Sequence, residues 1–287
     1  MANIKALGDF GYGFNDEGQL RKLDKTGYPG EEPFQFSVSD NHQECQRHYE
    51  ELGEAVTKYV YDTLENDLML TRMPVPEQCA NGTFIFVSKE YELKDRLLVL
   101  IHGSGVVRAG QWARSLIIND KIDSGTQIPY IKKAVENGFG VLIMNTNDNH
   151  KANGDTIPKS GSPEEHASYV WDNYISKTKA SAIAIVAHSY GGIVVMDLAN
   201  KYKDDFQERV KAIAFTDSVH GYSKLKVTKY LKKVAKNWVA SNNPLDSPVS
   251  TPDHEIIRVS AGHPKHELTS YSCINSVFKF IEEKIPN

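Results

Sequence analysis

The stretch Ala182-Ile183-Ala184-Ile185-Val186-Ala187-His188-Ser189-Tyr190-Gly191-Gly192 limits the possible folds of this chain more than any other. Its apolar run carries no charge and no alternation, as expected of a strand buried on both faces in a parallel sheet. The run stops at a serine set before two glycines. Ile193-Val194-Val195-Met196, with Leu198 and Ala199, then continues at spacing compatible with a helix. A strand, a sharp turn with serine at its tip and a helix form a nucleophile elbow. Such a turn strains the serine backbone, so small residues must stand two before and two after it. Ala187 and Gly191 meet that need, with Ala187 in place of the more usual glycine. The helix start behind Ser189 also presents backbone N–H groups to a developing oxyanion. The plainer alternative is a Gly-Gly turn with an incidental serine.

The rest of the chain supplies the surrounding sheet. Phe10 to Phe14, Leu20 to Leu23 and Glu32 to Phe36 read as short strands, a small β preface over residues 9–38. Leu52, Ala55, Val56, Tyr59, Val60 and Leu64 recur at helical spacing between Arg47 and Leu70, and Met73-Pro74-Val75-Pro76 breaks the pattern. Strands are expected at Thr83 to Val87, Arg96 to Ile101, Phe139 to Met144, Val210 to Phe215 and Ile256 to Ser260. Helices are expected at 127–136, with Ile128, Ile131, Ala134 and Val135 on one face, and after the capping sequence Ser162-Pro163-Glu164-Glu165. A basic helix at about 224–236 and a closing helix with Ile274, Val277, Phe278 and Ile281 complete the alternation. The fold class is therefore α/β, a doubly wound and mostly parallel sheet with helices on both faces and the order of an α/β-hydrolase. One domain is expected over residues 1–287, its doubly wound core spanning 83–283.

The 287 residues suffice for a sizeable core, and 33 basic against 37 acidic side chains give a net charge of −4. No general nucleic-acid-binding field is expected from that balance. The three cysteines, Cys45, Cys79 and Cys273, lack metal-ligand spacing and suit reduced thiols in an intracellular protein. Met1 to Lys5 opens no signal peptide, and no apolar run approaches the roughly 18 residues of a membrane span. No metal or nucleotide motif competes with the serine, so no cofactor is expected.

A serine hydroxyl becomes a nucleophile when a base takes its proton and an acid orients that base. In this fold the chain order is serine, acid, histidine. The loop after the last strand, Ala261-Gly262-His263-Pro264-Lys265-His266-Glu267, offers His266, with His263 as its competitor. The acid is Asp217, at the end of a clear buried strand, or Asp246, if Asn237 to Ser241 forms a further strand. Turn or cap roles are the ordinary use of such aspartates. His102-Gly103-Ser104-Gly105 follows a buried strand where the second oxyanion donor belongs, so the N–H of Gly103 or Ser104 would pair with that of Tyr190. Arg108, Trp112 and Arg114 are expected to pack rather than bind, and Asp148-Asn149-His150 reads as loop. A small acyl substrate fits this constellation.

Several blocks carry a family resemblance. Leu98 to Arg114 with Asp123 to Pro129, Gly161 to His166, Val186 to Gly192, Phe215 to His220 and His266 to Ser270 resemble the Argonaute-binding, Arb-type domain family, its animal cotranscriptional-regulator branch especially. The blocks run from about Phe10 to Ile281. The resemblance implies an α/β-hydrolase-like domain with a nucleophile at Ser189. It also implies Argonaute-type, chromatin or splicing-factor partners, and a nuclear and cytoplasmic place in small-RNA-guided silencing or splicing control. Animal relatives carry a long charged insertion after the strand ending at Met144, where this chain has only Thr146 to Ser160. A purely partner-binding hydrolase scaffold is the alternative function.

Overall fold

The computed structural model describes residues 5–79 and 81–286; the leading Met1 to Ile4, part of the stretch read for targeting, lies outside them. A 3-10 turn (Leu7–Phe10) leads into a small antiparallel sheet of β1 (Tyr12–Phe14), β2 (Leu20–Leu23) and β3 (Pro29–Pro33). Helix α1 (His42–Asn66), β4 (Thr71–Val75), β5 (Thr83–Val87) and β6 (Arg96–Ile101) follow. Next come α2 (Arg114–Asn119), α3 (Ile122–Gly125), α4 (Ile128–Glu136), β7 (Gly140–Ile143) and α5 (Pro163–Val170), which runs on into a π-helical turn (Trp171–Ile175). The chain then forms β8 (Ala182–His188), α6 (Gly191–Lys201), α7 (Lys203–Arg209) and β9 (Val210–Thr216). It ends with α8 (Lys229–Val234), β10 (Ala235–Val239), β11 (Arg258–Ser260), α9 (Thr269–Ser272) and α10 (Ile274–Lys284).

The large sheet has the order β11-β10-β9-β8-β6-β7-β5-β4. Strands β6 to β11 pair in parallel, and β5 joins antiparallel to β7 and to the edge strand β4. This is an α/β-hydrolase-like sheet. Because period-two alternation sends neighbours to opposite faces, the continuous apolar runs divide between two cores. In β8, Ala184 and Val186 join one core, and Ile183, Ile185 and Ala187 join the other. The first core receives α1, α4, α10 and, from the preface, Leu7, Tyr12 and Leu20; the second receives α5, α6 and Phe206 of α7. At about 1.5–3 kcal/mol per buried Val, Leu or Ile, these two faces dominate what holds the sheet.

Four expectations change. Met73-Pro74-Val75-Pro76 does not simply end the preceding helix, because Thr71–Val75 is a strand. It pairs on one side only, and an edge strand tolerates proline. The expected basic helix at 224–236 shrinks to α8, and its end becomes β10, where the Lys236 ammonium lies over two aromatic rings: Nζ sits 5.3 Å from the Trp238 ring and 5.0 Å from that of Phe280. The third preface strand is Pro29–Pro33 rather than Glu32 to Phe36. Val135, placed on the apolar face of α4, is exposed.

Two consequences of this order matter for function. Every parallel strand ends at the same edge of the sheet, so the loops after β6, β8, β9, β10 and β11 gather there. The chain also reverses its direction of winding between β7 and β8, on either side of β6, which opens a crevice beyond the strand ends.

Candidate active site

Ser189 follows β8 directly and holds φ at 52°, a left-handed conformation uncommon for a side chain with a Cβ. The surroundings fix it there. Its N–H donates to Thr216 O at 3.1 Å, and its own carbonyl accepts the N–H of Gly192 and of Val219, each at 3.1 Å. Gly191 is required by close approach, since a Cβ there would stand 2.8 Å from Ile101 O and 3.0 Å from His102 O. The loop after β6 presses on the serine itself: a Cβ at Gly103 would lie 3.0 Å from Ser189 Cβ and 3.4 Å from His188 Cδ2.

The loop after β9 supplies the carboxylate. Asp217 has φ 46°, and its Oδ2 lies 2.6 Å from His266 Nδ1. The other oxygen, Oδ1, accepts the Ala240 N–H at 3.0 Å. Burial pushes the Asp217 carboxyl up, but the bonds from His266 and Ala240 outweigh it and leave it below the usual carboxylate value. His266 moves the opposite way, held above its ordinary 6.5 chiefly by its hydrogen bond to Asp217. With Nδ1–H donating to Asp217, a neutral His266 carries its lone pair on Nε2, the tautomer a general base needs.

Of the alternatives, Asp246 makes no bond to His266. Its Oδ1 accepts Trp238 Nε1–H at 2.8 Å and its Oδ2 accepts the Ser276 hydroxyl at 2.5 Å, so it ties β10 to α10. His263 turns its Nδ1 back to the Lys265 N–H at 3.0 Å. Tyr190 stands at the N-cap of α6, where its backbone N–H has no intrahelical acceptor, and its hydroxyl donates to Glu164 Oε1 at 2.8 Å. Gly103 is buried and Ser104 exposed, both in the loop facing that helix start. Trp112 is buried, whereas Arg108 and Arg114 are only half-buried.

Several supporting residues had no sequence signal. The buried ring of His188 lies tilted against that of His266 with centroids 4.6 Å apart, and its Nδ1 lies 2.8 Å from Thr216 O. Burial, with the neighbouring His266 next, drives His188 down to about 3, so it stays neutral beside the titrating ring. The Asn147 amide donates to Gly103 O at 2.8 Å and Gly105 O at 3.1 Å, pinning the loop after β6 from β7's side. His166 Nε2 accepts the Asn145 N–H at 3.1 Å and its Nδ1 meets Ser160 Oγ at 2.9 Å, so an imidazole that burial keeps neutral braces both ends of the loop after β7. Only the polar loop after Met144 hinted at these, through its density of Asn and Asp. Among the described residues, no three side chains of His, Cys, Asp or Glu converge as metal ligands, and no helix is long and apolar enough to cross a membrane.

A family model described as the Arb2 domain matches residues 4–154 and 148–245. The cotranscriptional regulator ARB2A of Homo sapiens is 39% identical over 337 residues, covering 96% of this chain and 80% of that protein. That alignment is longer than the 287 residues of this chain, so the human relative carries residues this one lacks. A FAM172 family protein homolog of Caenorhabditis elegans is 38% identical, covering 98% of this chain and 88% of its own length. Among solved structures, a histone deacetylase from Saccharomyces cerevisiae superposes with TM-score 0.57 at 12% identity, over 82% of this chain and 98% of that one. The histone deacetylase Clr3 gives 0.55 at 14% identity, over 90% of this chain and 47% of that one. At such identities the likeness is one of fold alone.

Proposed function

The chain belongs to the Arb2 domain family, and from that premise we propose that it is a serine hydrolase of esterase type working within a regulator of gene expression. One observation carries the reading: a carboxylate-bound histidine, Asp217 Oδ2 to His266 Nδ1 at 2.6 Å, stands on the same sheet edge as a serine strained to φ 52° at a strand-to-helix turn. Ser189 Oγ would attack the carbonyl carbon of a small acyl ester as His266 Nε2 takes its proton. The oxyanion would accept N–H bonds from Tyr190 and from Gly103 or Ser104. Collapse breaks the acyl C–O bond, and His266 returns the proton to the departing alkoxide. Water, activated by the same ring, then releases the acid and restores Ser189. No cofactor enters this sequence.

A fluorophosphonate probe should label the folded wild-type protein at Ser189, and Ser189→Ala should remove the label. Folded wild-type protein that resists labelling at millimolar probe would end the hydrolase reading. The names of the relatives favour a second role for the same molecule, in transcription; by family resemblance it would be nuclear, with chromatin or splicing-factor partners and an Argonaute-type protein. Capture of a purified Argonaute-type partner by wild type and Ser189→Ala separates the two. Equal capture frees docking from the serine, and loss in the variant ties docking to it.

A further inference from the structure

A second site lies away from the serine, below the loop that joins β9 to α8. A cleft of about 540 Å³ is lined by His220, Lys224, Lys226, Lys232, His254 and Glu255 among others. None of Ser189, Asp217 and His266 lines it. In a chain whose net charge is −4, this is a concentration of positive charge. The single carboxylate is already engaged, because Glu255 Oε2 is paired with Arg258 Nη2. Lys232 Nζ donates to Asp253 O, a neutral carbonyl that leaves its charge uncompensated. Among the described residues, Lys224, Lys226 and His254 form no ion pair.

The second observation is the ring of His220. It is 2% exposed and stacks on Phe215 at 4.8 Å. Its Nδ1 is satisfied by Ser218 Oγ at 2.9 Å, while Nε2 is buried with no protein partner. A buried ring nitrogen left unpaired costs about 1–3 kcal/mol, a cost that a bond to a bound oxyanion would remove. His220 belongs to the wall of this cleft, and a cationic cleft with such a ring in its wall matches a compact oxyanion, for which lysine ammoniums act as point charges and an imidazole N–H as a directional donor. The volume exceeds that of one phosphate and leaves apolar wall, Leu225 and Val227, for an organic group.

We propose that this cleft binds a diphosphate, free or at the end of a small organic molecule, with Lys224, Lys226 and Lys232 holding its charge and His220 Nε2 bonding one oxygen. The inference stands whether or not Ser189 is a nucleophile, and its test reads binding only.

The test is isothermal titration of the full chain with inorganic pyrophosphate, with ADP as a second arm carrying an organic group. Saturable one-to-one binding that weakens with added salt is expected. The exposed pair K224A/K226A should weaken it by about tenfold or more, at one to two lost charge-assisted bonds. His220→Gln, which keeps hydrogen-bonding capacity but moves it, should weaken it by a smaller factor, and Lys279→Ala, an exposed lysine elsewhere, should leave it unchanged. Tighter ADP than pyrophosphate shows that the apolar wall is used, and equal affinity shows recognition of the diphosphate alone. Thermal unfolding of each variant reports that it is folded. Failure to saturate, or equal weakening by Lys279→Ala, overturns the proposal in favour of diffuse surface charge. Single-stranded oligonucleotide binding that strengthens with length and displaces pyrophosphate overturns it in favour of an extended polyanion track.

Discussion

Asp217 and Asp246 occupy similar positions and do different work. Each follows one of two neighbouring parallel strands, β9 and β10, and each is held in the left-handed region, at φ 46° and 64°. Each has both carboxylate oxygens bonded. Asp246 meets Trp238 and Ser276, neutral groups that do not titrate near neutrality, and so joins a strand to the last helix. Asp217 meets one backbone N–H and one half-exposed imidazole. The left-handed loop position after a strand is therefore shared, and the partners differ: Asp217 holds an imidazole, while Asp246 clasps a strand to a helix.

Exchanging each charge should separate the two roles, with the largest effect at Asp217. In Asp217→Asn the amide can donate to His266 Nδ1, favouring the tautomer with its proton on Nε2, so that the nitrogen proposed to take the serine proton carries a donor instead of a lone pair. Turnover of an activated ester should fall by about 10⁴-fold, the size that loss of the correct tautomer produces in triads. Fluorophosphonate labelling should slow in step, with the protein still folded. A drop of less than tenfold would mean that Asp217 is a second clasp.

The carboxyl-end loops of this sheet were legible in the sequence to different depths. The uncharged run ending at Ser189 and the glycines behind it reveal strand, turn and helix, because each rests on local chemistry: apolar continuity, a forbidden Cβ at Gly191, a helix start. Chain order narrowed the histidine to His266 or His263 in one loop. It could not choose between Asp217 and Asp246, since that choice depends on Trp238 and Ser276 capturing one carboxylate through contacts distant in sequence. The edge strand β4 was hidden by Pro74, and the lysines before β10 left a strand at Asn237 to Ser241 only conditional, because composition does not show which strand will lie at an edge or which lysine will lie over an aromatic ring. His188 and Asn147 were hidden for the same reason. Their roles are bonds to carbonyls of residues brought near only by the fold.

Asp246→Ala should give the intermediate effect, and on stability instead of turnover. It strips a partner from the Trp238 indole and from Ser276, and a buried donor left unpaired costs about 1–3 kcal/mol. Urea unfolding should show a loss of that size, while kcat per folded molecule stays within twofold of wild type. A large fall in kcat at unchanged stability would reverse the assignment of the two aspartates.

The smallest effect, and the sharpest discriminator, is in the pH profile. His266 must be neutral to accept the serine proton, and its bond to Asp217 raises its proton affinity above the ordinary 6.5. In wild type, kcat/KM should therefore fall as pH drops through a midpoint above 6.5, by about tenfold per unit below it, since one proton inactivates the base. The sign follows from the protonated form being the inactive one: a raised value shifts the loss toward neutral pH. Asp217→Asn removes the raising bond and leaves burial, which lowers the histidine, so the residual activity should persist to more acid pH than in wild type. Asp246→Ala touches no titrating ring and should leave the midpoint in place. His188 cannot supply this midpoint, because burial holds it near 3 and it remains neutral throughout the range. A wild-type midpoint well below 6.5 that is indifferent to Asp217 would assign the proton transfer to another group and dissolve the contrast between the two aspartates.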